Sequence, residues 1–179
     1  MSNPSGEQPG PSESQLARIE TQIREQYERA FFDNIKAAVA ASPPDVEYIV
    51  RLYSEIVERL CKMVRANTAS RIRAEFDVPF FEQLLRTQNF DGQSLVGLIG
   101  TTFAWIHKLQ SPIRDSEAEA AKQKVMSAGT SLAEVVPEYI REAHRCLNYM
   151  EKDMKELYEN RNHPVVQEML RRAVEASKK

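Results

Sequence analysis

The chain has 179 residues, enough for one domain with a core of ordinary size, or one domain plus tails, and too few for a second catalytic domain. Its formal charge of -2, from 24 Lys and Arg against 26 Asp and Glu, provides no global field for nucleic acid, an anionic membrane or a cationic substrate. Only 6 glycines, in a chain rich in Ala, Leu, Glu, Lys, Arg and Gln that lose little entropy in a helix, exclude an all-β fold and predict an all-α one.

Residues 1–12 are rich in Pro, Gly, Ser and Asn with almost nothing to bury, which predicts a disordered arm. Ser12 or Ser14 is a candidate N-cap for a helix reaching about Ala41, with Leu16, Ile19, Ile23, Tyr27, Phe31, Ile35 and Val39 stepping by three or four. Ser42-Pro43-Pro44-Asp45 then punctuates a helical hairpin. Ser42 is expected to cap the next helix, with Pro43 at its first position, where a missing N–H costs little. Val46, Ile49, Tyr53, Ile56, Leu60 and Met63 continue the same period to a helix end near Asn67. In both segments such spacing makes core rather than chemistry.

Thr68 or Ser70 opens a short helix through Phe76, Asp77-Val78-Pro79 interrupts it, and Pro79 starts an apolar segment to Arg86 that should dock on the core. Asp91 caps the next helix. Its uncharged run from Gly92 to Ile106 is too short for a bilayer, which needs roughly 20 apolar residues. It reads instead as a central helix, apolar on most sides, with Gly97 and Gly100 permitting a close crossing. Asp115 or Ser116 heads a helix to Ala128, closed by Gly129. Ser131 opens a last long stretch, in which Pro137 marks a bend or the start, His163-Pro164 a second kink, and the pattern runs on to the lysine-rich end. The expected architecture is a single multi-helix bundle of about seven helices over residues 13–179, behind the arm at 1–12.

Chemistry-bearing patterns are sparse. His107, His144 and His163 lie in no metal-ligand spacing, no Gly-x-Ser-x-Gly turn is present, and no Gly-rich loop cradles phosphate. Neither a catalytic residue, a metal nor a cofactor is therefore assigned, and cyclic-nucleotide binding by this domain itself is not expected. Glu151, Asp153, Glu156 and Glu159 interleave with Lys152, Lys155 and Arg161 as a solvated helix face. Arg71, Arg73, Arg171 and Arg172 form clusters too short for nucleic acid. The pairs Phe31-Phe32 and Phe80-Phe81 serve packing, and the 100° step between neighbours leaves one of each pair free for a partner. Cys61 and Cys146 read as packed thiols in a reducing compartment, with a single disulfide between distant helices as the alternative. With no basic flank and apolar run at the N-terminus, an intracellular, cytoplasmic address is expected.

Three blocks in order carry a family resemblance. Ala30-Phe31-Phe32-Asp33-Asn34-Ile35-Lys36 through Ser42-Pro43-Pro44-Asp45 and Leu52 to Leu60, then Leu109-Gln110-Ser111-Pro112-Ile113-Arg114-Asp115, then Leu147 to Met154, together resemble the T-complex protein 11 family. The likeness covers roughly residues 27–175 and the N-terminal portion of the family domain, with Gln110-Ser111 standing where the family has Cys-Ala. It implies regulation rather than catalysis, since members are linked to cyclic-AMP and protein-kinase-A signalling in fungi and to sperm function in animals. No catalytic residue transfers. The landmarks it marks for interaction or structure are Pro43, Pro44, Asp45, Pro112, Arg114, Asp115 and Asp153. Asp115 is expected to cap a helix, Arg114 to hold that carboxylate or a neighbouring helix end, and Asp153 to lie between two buried methionines. The function expected is a non-enzymatic protein-protein interaction module, a signalling adaptor with a protein partner. The alternative is a structural subunit of an oligomer or particle packing through its long helices.

Overall fold

A computed structural model describes residues 9–178, and among these the regular structure is all helical: eight α-helices and one 3-10 turn. The disorder expected of residues 1–8 lies outside the described residues; residues 9–12 are exposed and non-helical. Helix α1 spans Glu13–Ala40 and opens on a capping box, the Gln15 N–H donating to the Ser12 hydroxyl while the Gln15 side chain accepts from the Ser12 N–H.

At the hairpin the capping assignment shifts by three residues. Asp45, not Ser42, is the N-cap of α2 (Val46–Cys61): the Tyr48 N–H donates to Asp45 Oδ1 at 3.2 Å, and both prolines precede the helix. The reason lies in the other end of Asp45, whose own N–H donates to the Ala38 carbonyl at 3.0 Å. One residue thus satisfies a free carbonyl of α1 and a free N–H of α2.

Helix α2 stops at Cys61 rather than near Asn67, and α3 (Ala66–Phe76) folds back on it, burying Ala69, Ile72 and Phe76. Asp77 at φ 43 is both the left-handed C-cap of α3 and the N-cap of α4 (Val78–Arg86), accepting from the Phe80 N–H. Within α4 the aromatic pair divides, Phe81 buried and Phe80 exposed. Helix α5 (Gly92–Leu109) starts at the Asp91 cap.

The 3-10 turn Pro112–Arg114 runs directly into α6 (Asp115–Met126), so Asp115 is the first residue of that helix and not its cap. Gly129 does not close α6, which ends at Met126, and it is not left-handed. It is instead a close approach: a Cβ there would overlap the Glu134 carboxylate. That carboxylate belongs to the Ser131–Glu134 capping box that opens α7 (Leu132–Glu159). Pro137 lies inside α7 and is buried, so it does not mark the start. His163-Pro164 is a break, with His163 accepting the Val165 N–H to begin α8 (Pro164–Ser177).

Helix α7 is the centre of the domain, packed on α6, α1, α5 and α2. The central position expected for α5 is therefore taken by another helix. One side of α5 is buried through Leu95, Ile99, Phe103, Trp105 and Ile106, while Val96, Ala104 and His107 face solvent. Nor do Gly97 and Gly100 make a helix crossing; a Cβ at either would meet open space. The apolar stripe of α1 is likewise only half core. Ile35 and Ala38 are buried with Phe31 and Val39 packed nearby, whereas Leu16, Ile19, Ile23 and Tyr27 are exposed. Cys61 and Cys146 are both free thiols and buried.

Candidate protein-interaction surface

The 3-10 turn places Arg114 where its guanidinium reaches across to α7. Nε donates to Asp153 Oδ2 at 3.0 Å and Nη2 to Asp153 Oδ1 at 2.9 Å, a planar fork matched to a planar carboxylate. Nη1 donates to Glu117 at 3.0 Å, and the guanidinium lies 4.7 Å from the centre of the Tyr149 ring. The Asp153 and Glu117 hydrogen bonds raise the Arg114 pKa further above its already high ordinary value.

Arg114 does not hold Asp115. That carboxylate accepts from Gln110 Nε2 at 2.9 Å and lies 3.3 Å from His107 Nδ1, tying the end of α5 to the start of α6. Asp153 does not lie between two buried methionines either, because Met150 is buried but Met154 is half exposed. The last turns of α7 outrun their neighbours, so the face that is core at Met150 is surface one turn later.

A groove of about 880 Å³ begins there, between Pro112 and Ile113 on one wall, Met154 and Leu157 on its floor, and Met169 and Leu170 of α8 opposite. Ile113 is 82% exposed and Val165 and Met169 are more than half exposed. Apolar side chains this open, rimmed by Asp153, Glu156 and His163, make a contiguous patch of the kind that covers partners. Unbranched methionines adapt such a surface to different shapes.

Pro43, Pro44 and Asp45 belong to the opposite end. Pro44 lines a cavity with Leu132 and Ala133 at the start of α7, and about 20 residues of helix, roughly 30 Å at 1.5 Å each, separate Ala133 from Asp153. The structure therefore joins Arg114 to Asp153 and leaves the proline turn apart from both.

No sequence motif marks two polar clusters on α7, each centred on one buried side chain, His144 or Glu142. Arg59 of α2 donates to Glu151 at 2.7 Å, to Asn148 at 2.6 Å and to His144 Nδ1 at 2.9 Å. A guanidinium only donates, so Nδ1 is the acceptor and the proton sits on Nε2, facing the Leu52 carbonyl at 3.3 Å. Burial first, then the Arg59 charge, push the His144 pKa down to about 4. The second cluster surrounds the buried Glu142 with Lys124 at 3.1 Å, Arg145 at 3.2 Å and Arg141 at 3.6 Å. Helical spacing does give a signal for both, since Glu142 and His144 fall on the stripe of Tyr139, Ile140, Ala143 and Leu147.

Much of the basic surface is matched internally: Arg73 pairs with Glu58, and Arg171 and Arg172 share Glu168. Among the described residues no group of three or more His, Cys, Asp or Glu is placed to hold a metal ion. No described helix is long and apolar enough to cross a membrane.

A protein-family model, T-complex protein 11, matches residues 11–158. The match takes in α1 to nearly the end of α7, with all seven sequence landmarks, and stops before α8. No solved structure matches the chain.

Proposed function

Since this chain belongs to the T-complex protein 11 family, we propose that it is a non-enzymatic helical interaction module, an adaptor in signalling, whose partner contributes an amphipathic helix. The groove between the end of α7, the Pro112–Arg114 turn and α8 carries this reading. Its exposed floor and walls are apolar, its rim is polar, and its length runs along helices, the arrangement into which an apolar helix face is laid. The Arg114–Asp153 fork holds the turn against α7 and so fixes one wall. The pathway proposed, cyclic-AMP and protein-kinase-A signalling, comes from the family members the sequence resembles, and the cytoplasm is the compartment where a protein with two reduced buried thiols would meet it.

The experiment is affinity purification from the native cell, followed by mass spectrometry, with wild-type protein and with Met154→Lys/Met169→Lys. A set of proteins held by the wild type and lost by the variant, including a component of cyclic-AMP signalling, is expected. The same set on both would remove the groove from the reading. If Arg114→Ala with Asp115→Ala leaves capture unchanged and only lowers thermal stability, those two residues serve the fold alone.

A second reading has its own observation. Leu16, Ile19, Ile23 and Tyr27 form an uncovered stripe along the first half of α1, a surface on which copies of the chain would pack as a structural subunit. Light scattering that returns a monomer at tens of micromolar removes it.

A further inference from the structure

The helices do not fill the volume between α2, α4, α5 and the first half of α7. Helix α4 packs chiefly on α2, and α5 packs on α6 and α7, which leaves a cavity of about 270 Å³ walled by Tyr53, Phe81, Leu95, Val136 and Ile140. Two hydroxyls border it, those of Tyr53 and Tyr139, and both have given their protons elsewhere, so that each can only accept. The Tyr53 hydroxyl donates to the Phe76 carbonyl. Thr102 donates its one hydroxyl proton to the Leu98 carbonyl at 2.8 Å, so the Tyr139 hydroxyl donates to Thr102 Oγ1 at 2.7 Å. Among the described residues the one buried side-chain nitrogen or oxygen without a hydrogen-bond partner is Arg141 Nε, which is not part of this wall.

A water placed here would forfeit hydrogen bonds it makes in bulk, because a buried water needs two to four polar partners. The space is instead about twice that of an apolar cavity of roughly 150 Å³ that stays dry and binds benzene. It also has an entrance. Pro44 and Ala133 are exposed and Leu98 and Leu132 half-buried, so the rim lies at the surface between the hairpin turn and the first turn of α7.

We propose that this cavity is a binding site for a medium-length hydrocarbon chain, which enters between Pro44 and Ala133 and leaves its polar head in solvent. Specificity comes from length and cross-section, since neither tyrosine hydroxyl has a proton left to donate into the cavity. The site is roughly 30 Å of helix away from the groove assigned to a protein partner, and the two stand or fall separately.

The test uses the full chain and the fluorescent probe N-phenyl-1-naphthylamine, titrated and then displaced with decanol. One saturable site, displaced by decanol, is expected. Ala133→Trp plugs the rim from an exposed position; it should weaken probe binding by about an order of magnitude with an unchanged helical circular dichroism spectrum. Leu98→Trp repeats the test from the other side of the rim if Ala133→Trp does not fold. Met154→Lys/Met169→Lys should leave binding unchanged. Absence of saturable binding, equal binding by the folded rim variants, or loss of binding in the Met154/Met169 variant, which would place the probe in the open groove, overturns the proposal.

Discussion

Arg114 and Asp153 stand 39 positions apart in sequence and meet through two parallel hydrogen bonds, of 3.0 and 2.9 Å, between the turn before α6 and the far end of α7. The same guanidinium reaches Glu117 with its remaining nitrogen, but Glu117 is one turn away on α6 and far more exposed. The long-range contact therefore ties two helices, and the short-range one only decorates a helix start. Asp153→Asn should lower the urea midpoint more than Glu117→Gln. A double-mutant cycle with Arg114→Lys should show coupling to Asp153, because an ammonium cannot form the fork. Equal effects from the two acidic substitutions would show that the fork contributes nothing beyond a surface pair.

That contact also shows where sequence stops being legible. The periodic face of α2 was readable because the helix is covered along its length, so Ile49, Tyr53, Ile56 and Leu60 are all buried as spaced. Leu16, Ile19, Ile23 and Tyr27 have the same period, yet lie bare, because period records that a face is apolar and not whether a neighbour reaches it. Ser42 and Asp45 are both competent caps, and only the bond from the Asp45 N–H to the Ala38 carbonyl decides between them. Arg114 keeps its nearer partner Glu117, and only the register of α6 against α7 adds the distant Asp153. Of the candidate surface, the turn and Asp153 were visible from their residues, whereas the groove depends on how far α7 extends and on where α8 lies.

His144 makes the fold sensitive to acid. Its folded-state pKa of about 4 lies below the ordinary 6.5, so the unfolded chain binds the proton more tightly. Stability from this group is whole above about pH 6.5 and is lost as pH falls towards 4, by about 3 kcal/mol in total. Urea unfolding followed from neutral pH downward should show this loss before the carboxylates titrate. His144→Gln should be less stable at neutral pH and have a flatter profile over that window. A wild-type curve with no slope between pH 6.5 and 4.5 would mean that the ring is already solvated.

Gly129 gives a prediction of sign. Its backbone is not left-handed, so alanine there would ordinarily stabilise by about 0.4–1 kcal/mol through the unfolded chain. Here the added Cβ would displace the Glu134 carboxylate from the Thr130 N–H, which it accepts at 2.9 Å, and open the capping box of α7. Gly129→Ala should therefore destabilise, by about 1 kcal/mol, the usual worth of a cap. In a Glu134→Gly background, which removes the Glu134 Cβ at 2.7 Å together with the carboxylate, the same substitution should become neutral or stabilising. Thermal unfolding of the four proteins decides it, and a stabilising Gly129→Ala in the wild-type background contradicts the steric account.

Glu142 is the most consequential charge in the domain. Its side chain is 3% exposed, and Lys124, Arg141 and Arg145 compensate it from α6 and from its own helix. The three cations keep much of their hydration, being 21–49% exposed, so losing one of them leaves Glu142 two partners and costs little. Removing the carboxylate is different: it takes the shared partner from all three cations at once, although Arg141, 4.1 Å from the centre of the Phe32 ring, keeps Glu138 at 2.7 Å. Glu142→Ala should destabilise more than the loss of any one cation, and Lys124→Ala by less than about 1 kcal/mol. Replacing Glu142 by leucine should recover part of the loss, because an apolar side chain of similar size fills the site without needing a partner. Denaturant unfolding of the three variants measures the order. If Lys124→Ala proves as damaging as Glu142→Ala, the charge is held by one pair rather than by three cations sharing it.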